Sequence, residues 1–242
     1  MIPKVIHYCW FGGKPLPESA LRCIDSWRKH MPDCEIKRWD ETNYDINAVR
    51  YTREAAERGK WAFVSDYARF DILNREGGIY FDTDVEMIAP IHDIIARGAF
   101  MGWENSSGAL GVAAGLGMAS PAGMPFLAEV IDHYRGARFV DDSGDQLPGT
   151  VVSHVTGLLK SKGLKLKDTL QTVDGVTVYP SEYFNPLEDT TGRLRLTSNS
   201  RTIHHYAKTW CDGYSPLRMR LSRLLHRWFG TEIFTKIRKI TG

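Results

Sequence analysis

The sequence predicts an α/β protein on three observations. A strand, a helix and a strand joined by short connections open the chain, a long helix follows, and that helix hands over through Gly77-Gly78 to an apolar strand. The run KVIHYCW, Lys4 to Trp10, is apolar and aromatic and is closed by Gly12 and Gly13, as suits a buried first strand ending in a tight loop. Between Pro17 and Met31, the positions Ala20, Ile24, Trp27 and Met31 recur at i, i+4, i+7 and i+11, one face of a helix that Pro32 closes. Residues 34–39, CEIKRW, alternate apolar and polar side chains like a half-buried strand. A longer helix is expected from Trp61 to Glu76, with Val64, Tyr67, Ala68, Ile72 and Arg75 on one stripe and Gly77 as its stop. Ile79-Tyr80-Phe81 then forms a strand that runs into Asp82-Thr83-Asp84. Beyond it the pattern predicts a strand at Phe100 to Trp103, a Gly-rich apolar stretch at 110–118 and a helix near 125–135. A loop at 141–149, a helix through Leu159 and short strands near 176–179 and 201–206 complete the order, with no internal repeat. Residues 1–214 read as one domain and 215–242 as a tail.

Composition narrows the function classes. With 25% charged and 43% hydrophobic residues the chain is an ordinary globular one, and a net charge of +2 gives no wholesale attraction to nucleic acid. The charge is unevenly spread: residues 215–242 hold seven basic side chains against the single acid Glu232, a local +6, and leave about −4 on the rest. No run reaches the ~18 apolar residues of a membrane span, and the N-terminal residues lack a signal-peptide pattern, so a cytoplasmic location is expected. The four cysteines, at 9, 23, 34 and 211, show no paired spacing and are expected to be reduced and buried.

Two groups of residues could carry chemistry. Asp82 and Asp84, at i and i+2 after an apolar strand, would share one face of a regular strand and repel one another unless a cation lies between them; hard oxygen ligands suit Mg²⁺ or Mn²⁺. A solvated turn with two acids is the plainer alternative. Asp66 and Arg69 lie three residues apart, on one helix face, either as an ordinary ion pair or as part of the same site. The helix, the Gly-Gly stop and the strand carry the chain from one group to the other, so both can meet at the carboxyl edge of the sheet, where open α/β sheets bind ligands.

The ordered segments IPKVIHYCWFGG, FVSDYARFDILNREGGIYFDTDVEMIAP, YPSEYFNP and IHHYAKTW resemble the Asp-x-Asp sugar transferases of glycosyltransferase family 32, which build bacterial capsular and other surface polysaccharides. More remotely they resemble the catalytic domains of large glucosylating bacterial toxins. The likeness runs from residue 2 to about 210 and leaves the tail out. It implies a GT-A fold, an α/β/α sandwich with a Rossmann-like nucleotide-sugar-binding sheet. It also implies Mn²⁺ or Mg²⁺, a nucleotide-sugar donor with a UDP-hexose favoured over GDP-mannose, and retention of anomeric configuration. The acceptor would be a saccharide or a lipid-linked saccharide. By the resemblance, Asp82 and Asp84 are the metal-binding Asp-x-Asp, Asp82 also meeting the donor, and Asp66 and Arg69 hold the donor sugar and steady its diphosphate. Trp10, with Phe11 beside it, is expected at the nucleobase, Lys208 and Trp210 at the diphosphate, and His205, just before Tyr206, as a nitrogen ligand. Lys208-Thr209 stands where the family more often has a small residue and Ser, which weakens the assignment of Lys208.

Alternatives stay open at several positions. Trp10 suits a stacking platform or the core, and His204 rivals His205, since neighbours on a strand point to opposite faces. Glu104, Asn105, Asp145 and Gln146 are candidates for the acceptor side or ordinary loop residues. In the tail, Leu217, Leu221, Leu224, Leu225 and Trp228 recur at helical spacing beside Arg220, Arg223 and Arg227; such a basic amphipathic helix either rests on an anionic membrane or folds back on the domain. A haloacid-dehalogenase-type phosphatase also places Asp-x-Asp after a strand, but it normally has Thr or Val where this chain has Glu86, and uses the first strand. A non-catalytic nucleotide-sugar-binding protein is the third reading.

Overall fold

The computed structural model describes residues 1–106, 109–207 and Arg223. The opening unit is β1 (Val5–Cys9), α1 (Glu18–His30) and β2 (Glu35–Trp39), followed by α2 (Arg50–Glu57), α3 (Trp61–Glu76), β3 (Gly78–Tyr80), β4 (Val85–Met87) and α4 (His92–Ile95). The remainder runs β5 (Phe100–Ser106), β6 (Ala109–Ala113), a 3₁₀ turn (Ala114–Leu116), β7 (Met118–Ser120), α5 (Pro125–Gly136), α6 (Val151–Ser161), β8 (Gln171–Val173), β9 (Val176–Tyr179), α7 (Ser181–Phe184) and β10 (Thr202–His204). The main sheet has the order β2-β1-β3-β7-β5-β9-β8, with β6 added to β5. Its first part, β2-β1-β3, is parallel, β7 joins β3 and β5 antiparallel, and β9 is parallel to β5. The α/β class expected from the sequence is thus present, in a mixed sheet.

Strand periodicity explains the layers. Along β1, Ile6 and Tyr8 face one side with Ile24 and Trp27 of α1, while Cys9 faces the other with Tyr67, Ala68 and Phe70 of α3. Ile79 and Phe81 likewise point to the α1 side and Tyr80 to the α3 side, so the sheet lies between two helical layers. Arg75, expected on the buried stripe of α3, is exposed and pairs with Asp71. The helix is otherwise buried nearly all round, from Val64 to Leu73, as a central helix is. His7 has no exposed surface; its ring lies 2.9 Å from the Gly77 carbonyl and takes the Trp39 indole N–H at 3.1 Å, and burial holds its pKa down. Gly77 (φ 66°) and Gly78 (φ 109°) make the sharp turn from α3 to β3, because a Cβ at Gly77 would approach the Ala122 nitrogen to 2.8 Å.

Cys9 and Cys23 are buried thiols whose pKa values burial pushes up to about 12, and Cys34 is half-buried; Cys211 lies outside the described residues. Among the described residues no helix is long and apolar enough to cross a membrane. Lys208, Trp210 and all of the expected tail except Arg223 also lie outside them. Arg223, read from the sequence as part of an exposed basic stripe, instead donates to the Asp189 carbonyl at 2.9 Å and pairs with its carboxylate at 3.3 Å.

Between α5 and α6 the imidazoles of His133 and His154 stack with centroids 3.6 Å apart. Burial first, then the charge of His133, lowers the His154 pKa to about 4, and its Nε2 has no partner. A histidine whose folded pKa lies below its ordinary value of ~6.5 takes protons more readily when unfolded, so stability declines as pH falls from that value toward 4. His154→Phe is therefore expected to lose less melting temperature than the parent between pH 7.5 and 4.5. An equal loss in thermal melts would contradict the assignment.

Candidate active site

The site forms where β3 ends and the chain turns into β4. Asp82 and Asp84 do not sit on a regular strand: the Val85 N–H donates to the Asp82 carbonyl at 3.1 Å, closing a turn, and the Asp82 N–H donates to the Gly115 carbonyl at 3.0 Å. On the α3 side, Arg69 is 4% exposed and its Nη2 lies 3.0 Å from Asp66 Oδ1 and 3.2 Å from Asp82 Oδ1. Its Nε donates to the Ser65 carbonyl, its guanidinium stands 5.1 Å from the Tyr80 ring centroid, and the Tyr80 hydroxyl donates to Asp82 Oδ1 at 3.0 Å. The pair expected on one helix face is therefore a buried unit that spans two elements. Burial pushes Asp66 up to about 6, against the pull of Arg69, while Asp82, Tyr80 and Asp66 more than offset the burial of Arg69 and keep it charged.

The second half comes from the antiparallel β4–β10 ladder, in which Val85 pairs with His204 and Glu86 with Ile203. This register sets the His204 Nε2 3.3 Å from Asp84 Oδ2, and the Ala207 N–H donates to the same carboxylate at 2.8 Å. Burial alone would raise Asp84; the charge and hydrogen bond of His204 outweigh it and bring its pKa to about 2. Burial likewise opposes the charge of His204, but Asp84, then Glu104 and Asp82, raise it to about 9. Glu104, at the end of β5, is shifted up by burial.

His205 departs from expectation. Its Nε2 lies 2.8 Å from Glu86 Oε2 on the exposed side, because successive strand residues face opposite ways, and it is His204 that the ladder turns toward the aspartates. Phe11 departs as well, being 6% exposed and packed on Tyr44 in the core. Trp10 is half-buried and its indole donates to the Lys14 carbonyl at 2.7 Å. The sequence reading missed Trp61, whose indole covers Gly12 so closely that a Cβ there would lie 2.5 Å from its nitrogen. Its place at the head of the FVSDYARF helix was the available signal. Asn105 stays near the site through Asn185, whereas Asp145 and Gln146 are exposed on the 141–149 loop.

Gly115 was also missed. A Cβ on it would collide with Asp82 Oδ2 and come within 3.4 Å of Arg69 Nη1, so only glycine lets the 3₁₀ turn cradle that carboxylate. Gly115→Ala is expected to displace Asp82 and cost roughly 10²-fold in turnover, the scale of a 1 Å misplacement. Steady-state rates beside melting curves check it; an unchanged rate would contradict the cradle.

The donor set suits a hard divalent ion. It offers two carboxylates and the His204 Nδ1, which is buried without a hydrogen-bond partner and becomes a ligand once a cation displaces its proton. Among the described residues no three His, Cys, Asp or Glu groups already converge as a metal cluster.

Residues 17–101 match the family described as "Glycosyltransferase sugar-binding region containing DXD motif". Over 121 residues, 39% of this chain, the sequence is 28% identical to subversion of eukaryotic traffic protein A of Legionella pneumophila, and the match spans only 19% of that protein. Among solved structures, the PaToxG glycosyltransferase aligns with a TM-score of 0.48 at 17% identity, over 67% of this chain and 70% of that one. The galactosyltransferase LgtC, in complex with donor and acceptor sugar analogs, aligns at 0.41 and 14%, over 96% and 94%. Asp82-Thr83-Asp84 is the one Asp-x-Asp within the matched residues, and residues 17–101 are accordingly similar to a glycosyltransferase sugar-binding region of the DXD type.

Proposed function

We propose that the chain is a metal-dependent retaining glycosyltransferase of the GT-A type. It moves a hexose from a nucleotide diphosphate, with UDP favoured, to a saccharide or lipid-linked saccharide in surface polysaccharide synthesis. The observation that carries this reading is the turn after β3, which sets Asp82 against Arg69 and Asp66 and Asp84 against His204, with both aspartates in the DXD motif. Asp82, Asp84 and the His204 imidazole are the residues that would hold Mn²⁺ or Mg²⁺, which when bound screens the charge of a departing diphosphate. Arg69, already fixed by Asp66 and Asp82, presents a preorganised positive charge to the same leaving group. Asp66 accepts from donor hydroxyls, and Trp10 or Trp61 offers a ring face to the nucleobase. Lys208 and Trp210, beyond the described residues, are assigned to the diphosphate; Arg223 ties the tail back to Asp189, and its other basic residues, Arg220 and Arg227 among them, are assigned to the anionic inner face of a membrane in the cytoplasm.

The test is nucleotide release from a panel of UDP- and GDP-sugars with Mn²⁺ and with EDTA. Release from one donor that EDTA abolishes is the expected result. Binding without turnover at any acceptor would favour a nucleotide-sugar-binding protein. Phosphate release from a sugar phosphate, with no nucleotide release, would favour a phosphatase.

A further inference from the structure

A concavity of about 340 Å³ lies between β5, α7 and the segment that follows α7, within the range of small-ligand pockets and close to its lower end. It is lined by α7 and its continuation, Glu182 to Pro186, by the segment around Arg193 and Arg195, and by Asn105 of β5. The segment after α7 forms a short hairpin: Leu187 bridges Leu194, the Glu188 N–H donates to the Arg193 carbonyl at 2.9 Å, and the Arg195 N–H donates to the Pro186 carbonyl at 3.0 Å. Alternation along this hairpin sends Leu187 and Leu194 to one face and Pro186, Glu188, Arg193 and Arg195 to the other, which is the pocket.

The lining holds two acids, Glu182 and Glu188, and two bases, Arg193 and Arg195, which among the described residues do not pair with one another. The Glu182 carboxylate is occupied by the Thr197 hydroxyl at 2.8 Å and the Asn199 amide at 3.1 Å, and Glu188 by the Thr191 hydroxyl at 2.6 Å. Neither Arg193 nor Arg195 makes an ion pair among the described residues, and both side chains are exposed. Two free guanidiniums, two residues apart on one face, suit a carboxylate or phosphate, which they bind with paired N–H donors. Asn105, Asn185 and Thr197 add neutral polar groups of the kind that hold sugar hydroxyls.

The pocket is connected to the aspartates. The Asn105 N–H lies 3.4 Å from Asn185 Oδ1, the Asn185 amide donates to the Tyr206 hydroxyl at 2.6 Å, and the Tyr206 ring stands 4.2 Å from that of His204, which contacts Asp84. We infer that the pocket is the acceptor subsite and that it takes an anionic saccharide, its carboxylate or phosphate held by Arg193 and Arg195. The acceptor role rests on the glycosyl-transfer reading; the affinity for an anionic sugar does not.

The full chain, without donor, is titrated calorimetrically with glucose 1-phosphate, with methyl β-glucuronide and with neutral methyl β-glucoside. At least one anionic probe is expected to bind ten-fold or more tightly than the neutral one, and which of them does so separates a phosphate source from a uronate source. Arg193→Ser/Arg195→Ser is expected to abolish that preference. Its fold is retained because both side chains are exposed and unpaired, and melting curves verify this. Equal binding of all three probes, or a preference that survives in the double variant, would overturn the inference. UDP with Mn²⁺ is titrated alongside: parent protein that binds the anionic sugar but not UDP would count against glycosyl transfer while leaving the anion pocket standing.

Discussion

Asp84→Asn is expected to lower metal-dependent nucleotide release by about 10²–10³-fold, the cost of removing one well-placed electrostatic group from a transition state. Asparagine keeps the size of the side chain, and its oxygen still accepts the Ala207 N–H that Asp84 Oδ2 receives at 2.8 Å. What disappears is one of two negative charges offered to a hard cation, which amide oxygens replace poorly. The fold should survive, so melting temperature and rate are expected to separate. A variant that keeps more than a tenth of the parent rate at saturating Mn²⁺ would remove Asp84 from the metal site.

Arg69→Met is expected to act on the fold as strongly as on the reaction. Methionine replaces the stem of Arg69 but leaves Asp66 buried without its cation, and breaking such a pair costs about 3–5 kcal/mol. In the parent, burial already lifts Asp66 to about 6 while Arg69 pulls the other way; without Arg69 it climbs further. An aspartate whose folded pKa exceeds its unfolded value of ~3.9 binds its proton more tightly when folded. The deficit is therefore largest at high pH and shrinks as pH falls through the folded pKa. Chemical denaturation at pH 8 and pH 5 reads this directly. A deficit that is the same at both, or below about 1 kcal/mol, would contradict the buried-unit description.

Much of this arrangement was legible in the residues because it is local. The period of Ala20, Ile24 and Trp27 specifies α1, the Gly77-Gly78 pair specifies where α3 stops, and the apolar run before Asp82 specifies the strand that delivers it. The features that escaped depend on partners far along the chain. His204 rather than His205 faces Asp84 because of the β4–β10 register, and no pattern around residue 204 encodes that choice. Gly115 reads as one of several glycines in an apolar stretch until the turn is folded against Asp82. Just past β1, Phe11 falls on the same side of the sheet as Cys9 and Trp10 on the opposite side, a difference set by packing. Helix α2 went unread because its buried positions, Thr52, Glu54 and Ala55, do not form an apolar stripe; Glu54 is buried there because it accepts from Arg50 and from the Phe139 N–H.

The β4–β10 ladder also has a consequence in time. It joins partners as far apart as Val85 and His204, 119 residues along the chain. At ~5–20 residues per second, the ribosome delivers the second partner about 6–24 s after the first. Throughout that interval the nascent chain already carries the Asp66, Arg69 and Asp82 side but has no imidazole to set against Asp84. A long-range pairing of this kind is slow to close. The centre is thus completed last, and a fragment ending at residue 101, although it contains the whole DXD match, would hold only half of it.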